Sequence, residues 1–207
     1  IAPYILPDLL SMLAEAYPDL QPRFVEEQTQ HLITRLRNGN LDLAIMALPS
    51  EATGMVDSPL YTEKFSIVCP PDHPIAGRED VELAELKDLD LLLLDDGHCL
   101  RDQVVDLCRH ANINPAEATN SVTRASSLTT IMQLVMGGLG CTLVPESALA
   151  TECHGKDVAV AHFAPDVTAE REVGLVFRSS AARAEEFREF GTLITSAYNK
   201  AIERSRQ

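Results

Sequence analysis

Apolar residues first recur at helical spacing: Ile5, Leu9, Leu10, Leu13, Ala14 and Tyr17 share a face, and Pro18 ends the run. Arg23 to Glu26 reads as a short extended segment. A helix is expected over Thr29 to Asn38, with Leu32, Ile33 and Leu36 inside and Gly39 placed to cap its C-terminus. Leu41 to Leu48 is almost continuously apolar, the pattern of a strand covered on both faces, and Phe65 to Val68, ending at Cys69, is a second such run. After Pro70-Pro71-Asp72-His73-Pro74 the rhythm restarts. A helix near Val81 to Leu86, a strand at Leu89 to Leu94 and a helix from Cys99 to Ala111 are expected. A strand at Val122 to Arg124 follows, then a helix from Ser127 to Met136 stopped by Gly137-Gly138. Strands at Cys141 to Val144, Val158 to His162 and Val173 to Phe177 come next, and a helix over Ala182 to Ala201 closes the series.

Alternating strands and helices predict an α/β chain with mostly parallel sheets and helices on both faces. The proline-rich stretch at 70–74 separates two such series, and the last strand and helix can complete either. Two lobes are therefore expected: 1–69 with 174–207, and 70–173. Two lobes joined by two crossovers leave a cleft, a preferred place for small ligands.

Composition narrows the classes of function. The 207 residues carry 17 Lys+Arg against 31 Asp+Glu, a net charge of −14, with 45% apolar residues. That apolar content excludes intrinsic disorder. No run approaches the roughly 20 apolar residues a membrane span needs, so no membrane partner is expected. The carboxylate surplus argues against this segment gripping DNA, because phosphate neutralisation needs clustered Lys and Arg. Five cysteines are an odd number for a disulfide framework and suit the thiols of a cytoplasmic protein. Cys69 and Cys141 read as small buried residues in strands, and Cys153 as a loop residue beside His154. Neither metal-ligand spacing nor a cofactor fingerprint is present, so neither group is expected.

The informative stretch runs from Asp95-Asp96-Gly97-His98 into Cys99-Leu100-Arg101-Asp102-Gln103 and on to Cys108. A thiol at a helix N-terminus lies by the positive end of the dipole and by free backbone N–H groups, which favour the nucleophilic thiolate. Asp95 and Asp96 oppose that effect unless they point away or cap the helix, and His98 and Arg101 can help it, though sequence does not aim them. Nine residues of helix are about 900° of rotation and about 13.5 Å of rise, so the sulfurs of Cys99 and Cys108 start on opposite faces. Cys108 should pack inward with Leu100, Val104 and Leu107, while Cys99 faces Gln103 and Asp106. A disulfide needs Cα atoms within about 7 Å, so joining the pair requires unwinding the helix between them. Taken on spacing alone, both residues read equally as ordinary cysteines of an amphipathic helix.

The run Asp96 to Gln103, followed by Cys108, resembles the redox segment of the peroxide-sensing LysR-type transcriptional regulators. The likeness extends to Pro3-Tyr4, Leu6-Pro7, Glu27, Thr29, Leu41-Asp42, Asp72-His73-Pro74, Gly140 to Pro145 and Gly174-Leu175-Val176. It implies two Rossmann-like lobes of the periplasmic-binding-protein type, joined by two crossover strands. It further implies that Cys99 is oxidised by hydrogen peroxide to a sulfenic acid, which condenses with Cys108. Thr29, His98, Gln103 and Arg171 match the residues that bind the peroxide in that family. Apart from the likeness, Thr29 reads as a helix N-cap, His98 as a turn residue and Arg171 as a surface charge between Glu170 and Glu172. The family also implies homodimers and homotetramers, and contact with DNA and RNA polymerase through a winged helix-turn-helix that this sequence lacks. The strand and pocket threonine expected just before Ile1 are likewise not in it.

The first reading is thus a peroxide-sensing regulatory domain that reacts stoichiometrically and is not an enzyme. The alternative is an effector domain holding a small organic anion in its cleft, with the cysteines incidental. A thiol peroxidase ranks third, since no C-x-x-C suggests internal recycling.

Overall fold

In the computed structural model, which describes residues 1–114 and 119–205, the chain divides into two units. The first is Ile1–Glu63 with Arg171–Gln207, and the second is Lys64–Glu170. These divisions fall within or at the ends of long strands, whereas the sequence suggested breaks after residues 69 and 173. The proline cluster at 70–74 is a turn after a strand, not the division itself.

In the first unit, α1 (Ala2–Ala16) packs beside the last helix, α6 (Ala184–Ser205). Ile5, Leu9 and Leu13 of α1 form a core with Phe187, Ile194, Ala197 and Ile202 of α6 and with Leu175 and Phe177. The i, i+4, i+8 spacing of the α1 set is what makes this one continuous stripe. α2 (Thr29–Arg37) sends Ile33 and Leu36 onto β1 (Leu43–Leu48), against Ala44, Met46 and Val176. Gly39 ends α2 in the left-handed region at φ 73°, the conformation a side chain disfavours. Arg178 donates to the carbonyls of Leu36 and Leu41, so a side chain satisfies the end of that helix. β1 pairs antiparallel with β7 (Glu170–Arg178).

Gly174 of β7 is fixed by space. A Cβ there would lie 2.5 Å from both the Leu48 Cδ1 and the Ser58 carbonyl oxygen. No element forms over Arg23 to Glu26, and Phe24 and Val25 are exposed.

The second unit takes the later part of β2 (Met55–Cys69) as a central strand. β5 (Thr142–Pro145) and β6 (Ala159–His162) both pair antiparallel with it. β3 (Leu91–Leu94) pairs parallel with β4 (Thr119–Ala125), and a parallel bridge between Leu91 and Cys141 ties β3 to β5. The order is thus β4, β3, β5, β2, β6, with β2 alone running against the rest. The expectation of mostly parallel sheets therefore fails at β2, and in the first unit at β1 with β7. The chain passes from β1 to β2 through a short turn near Gly54, with no helix between the two strands, so the alternation of strand and helix assumed for a parallel sheet is broken there.

α3 (Cys99–His110) covers one face of this sheet. α4 (Leu128–Met136), capped by the Ser127 hydroxyl accepting from the Thr130 N–H, packs against β3, β4 and β5. A short helix, α5 (Glu146–Glu152), was not expected; with Pro145 as its N-cap and only two turns, it carries too little periodicity to read. The helix expected near Val81 to Leu86 is a 3-10 turn over Leu83–Asp88. Among the described residues no helix is long and apolar enough to cross a membrane.

Candidate functional site

The turn from β3 into α3 builds the site. Gly97 stands at φ 90°, where a side chain is strained, and lets Asp95-Asp96-Gly97-His98 reverse sharply. His98 is the extended N-cap residue of α3, and Cys99 is the first helical residue. The first N–H groups of a helix have no partner within it, so Cys99 begins where backbone donors and the dipole both favour an anion. Its side chain is exposed and it is a free thiol.

Cys108 is the opposite case. It is a free thiol with 0% exposure, packed with Val104 and Leu107 of its own helix. Leu86, Leu91, Ile113, Leu143, Phe65 and Ile67 belong to the same core. Burial raises its pKa, so Cys108 is a neutral thiol where it stands. The inward face read from the sequence is the one observed, with Val104, Leu107 and Cys108 buried and Leu100 partly so. Since α3 is unbroken from Cys99 to His110, the pair is separated by about 13.5 Å of helical rise. No disulfide can join them in this state.

The sequence left the aim of Arg101 open; its guanidinium pairs with Asp96 at 2.9 Å and with Asp102 at 3.6 Å. The Arg101 cation is therefore paired with a carboxylate of the preceding turn and one of the first helical turn, next to the cysteine. Gln103 lies one turn along from Cys99 and is half-buried, as is His98.

Thr29 and Arg171 belong to the first unit. Thr29 is not the N-cap of α2: Gln28 holds that position, and no side chain caps the helix. Arg171 is not a surface charge. It is buried, and its Nε and Nη2 donate to the Glu63 carboxylate at 2.8 and 2.6 Å. Glu63 is 1% exposed, so this is an ion pair out of water. Burial, aided by the Glu63 carboxylate, pushes the nearby Tyr61 phenol above its ordinary range, and Tyr61 stacks on Tyr198 at 3.7 Å. Sequence reasoning missed Glu63 altogether. Its only signal is an acid in β2, beside Lys64, which looks like any solvent-facing strand position.

Known proteins resemble this chain in sequence and in fold. The family model described as the LysR substrate binding domain matches residues 1–198. A probable hydrogen peroxide-inducible genes activator of Mycobacterium avium is 47% identical over 94% of this chain. The Escherichia coli K12 DNA-binding transcriptional dual regulator OxyR is 38% identical over 86% of it. The chain spans 61% and 57% of those two proteins. Among solved structures, a cysteine mutant of Corynebacterium glutamicum OxyR with hydrogen peroxide bound is 58% identical, with a TM-score of 0.96 over 99% of this chain and 64% of that one. The oxidized form of the same regulator matches at 59% identity with a TM-score of 0.87, covering 99% of this chain and 63% of that one.

Proposed function

The chain belongs to the LysR substrate-binding domain family, in its OxyR branch, and on that footing we propose that it is the hydrogen peroxide-sensing regulatory domain of a transcription factor. Its fold is the periplasmic-binding-protein type of that family. The observation that carries the proposal is one helix bearing an exposed cysteine at its first residue and a fully buried one nine residues on.

The chemistry follows from that arrangement. The Cys99 thiolate attacks one peroxide oxygen, the O–O bond breaks, and hydroxide leaves and is protonated to water. Cys99 is then a sulfenic acid. Cys108 attacks that sulfur, the S–O bond breaks, and a second water departs. Two thiols and one peroxide thus give one disulfide and two waters. The second step cannot happen while α3 is intact, because Cys108 is distant, covered and protonated. Oxidation is completed only by unwinding α3 and drawing Cys108, Leu107 and Val104 from the core. That rearrangement is the conformational signal.

Donors to the departing hydroxide lower the barrier of the first step. His98 and Gln103 are supported as such donors by their half-buried positions flanking Cys99. Thr29 and Arg171 are assigned to the same role by the family resemblance; the Thr29 hydroxyl does not cap α2, and Arg171 is a buried cation. The reaction is stoichiometric, since the chain supplies no reductant. In the full-length regulator, a cytoplasmic homodimer or homotetramer, the signal passes to DNA and RNA polymerase through other segments. The organic-anion reading finds no comparable support, since these relatives are named for hydrogen peroxide induction.

Peptide mapping of peroxide-treated protein tests the proposal. One 99–108 disulfide per chain is expected, with none in the Cys99→Ser protein. A substoichiometric yield, or the same bond without Cys99, refutes it.

A further inference from the structure

Two further sulfurs lie in the core that holds Cys108. Cys69 ends β2 and Cys141 precedes β5, both with 0% exposure, and both belong to the cluster containing Cys108. The β2–β5 register runs Phe65 with Pro145, Ser66 with Val144, Ile67 with Leu143 and Val68 with Thr142. One further step sets Cys69 directly opposite Cys141. Strand alternation puts Cys69 on the same face as Phe65 and Ile67, the face that α3 covers with Val104, Leu107 and Cys108.

The backbone fixes how close the two are. The Cys141 N–H donates to Asp90 at 2.9 Å, and its carbonyl accepts from Leu92 at 2.8 Å. Both polar groups of Cys141 thus point to β3 and neither to β2. Opposed residues of that kind form the narrow, non-hydrogen-bonded type of antiparallel pair, with Cα atoms about 4.5 Å apart. That separation falls inside the window of about 4.4–6.8 Å in which a disulfide closes without moving the backbone. Proximity has an independent sign, because the Cys69 charge is among the causes raising the Cys141 pKa, after burial. Cys99 and Cys108 are kept apart by their helix; Cys69 and Cys141 are kept together by their sheet. Cover protects the second pair, and the Cys69 thiol donates to the Ala159 carbonyl at 3.7 Å, so closing the bond also requires that sulfur to turn from β6 toward β5.

We infer that Cys69 and Cys141 are a latent second dithiol, which a further equivalent of hydrogen peroxide closes to a cross-strand disulfide once α3 has released Cys108. This rests on the reading of α3 given above. Peroxide oxidises one exposed thiol to a sulfenic acid and is itself reduced, one oxygen leaving as water. The facing thiol attacks that sulfur, the S–O bond breaks, and the hydroxyl leaves as water with the attacking thiol's proton. The second bond ties β2 to β5 within their existing register, beneath the face that α3 covers.

A peroxide titration of the 207-residue chain, with acid quenching, alkylation and peptide mapping at each step, tests this. The 99–108 disulfide is expected first, followed in excess peroxide by a second loss of two hydrogens in a peptide joining Cys69 to Cys141. The Cys99→Ser protein should show neither. Cys141→Ser should keep the first bond and lack the second, and Cys69→Ala serves the same purpose if that variant does not fold. Complete formation of the 99–108 bond with Cys69 and Cys141 recovered as thiols at every excess overturns the inference and leaves the proposed function standing. A 69–141 bond that forms equally fast in Cys99→Ser also overturns it, since the pair would not depend on α3. Failure of the 99–108 bond to form removes the proposed function and this inference with it.

Discussion

On the proposed chemistry Leu107 holds down the segment that must unwind, and truncating it measures how strongly. Its side chain sits beside Cys108 in the core and keeps 8% exposure. Leu→Ala in a core costs about 2–5 kcal/mol, and a site at the edge of a helix face belongs near 2. If Leu107 is solvated once α3 opens, that loss falls wholly on the closed state. At about 1.4 kcal/mol per tenfold, the open fraction rises about 30-fold. Iodoacetamide labelling of Cys108 reads that fraction directly when reclosing outpaces alkylation. The experiment is best run in the Cys99→Ser protein, under reducing conditions, so that no disulfide competes. Leu107→Ala should speed Cys108 labelling about 30-fold, while amides of β5 keep their hydrogen-exchange protection, which separates local opening from global unfolding. An unchanged rate refutes the claim that apolar packing gates Cys108. A parent rate already equal to that of a free peptide refutes its burial.

Two other outcomes follow from the buried polar groups. Glu63→Gln takes the carboxylate from the buried Arg171 guanidinium and should lower stability by about 3 kcal/mol, read from urea midpoints; a loss below about 1 kcal/mol would make the pair dispensable. Burial raises the pKa values of Cys69, Cys108 and Cys141, the last to about 12, so the folded chain keeps protons that the unfolded chain releases above about pH 9. Stability should therefore fall as pH rises past about 9, by about 1.4 kcal/mol per pH unit for each thiol still protonated, with a shallower slope in Cys141→Ala. Flat stability across that range contradicts the burial of these thiols.

What the sequence disclosed was local. α3 was legible because Leu100, Val104, Leu107 and Cys108 repeat at helical spacing, and because Asp-Asp-Gly-His before Cys99 forms a recognisable turn. The same reasoning gave α1, α2 and α6 to within a few residues. What it missed depended on distant partners. Glu63 lies 108 residues from Arg171, and nothing near either one announces a buried ion pair. Cys69 and Cys141 looked like unremarkable strand residues, because facing one another is a property of the β2–β5 register and not of either run. The early half of β2 carries Asp57, Ser58 and Pro59, which interrupt any apolar alternation there, and the parallel-sheet expectation failed at β2, which runs antiparallel to β5 and β6. The aim of Arg101, onto Asp96 and Asp102, was not legible because sequence gives its charge without its direction.

If Cys99 and Cys108 react as proposed, the length of α3 between the two sulfurs also sets a timescale. The opening event at Cys99 involves one exposed atom, whereas its completion waits on the loss of more than two helical turns and their packing. A brief pulse of oxidant therefore leaves a sulfenic acid that cellular thiols can restore, and only sustained exposure outlasts the delay. On this view the helix works as a low-pass filter, and mutations that loosen it would make the response quicker and less discriminating.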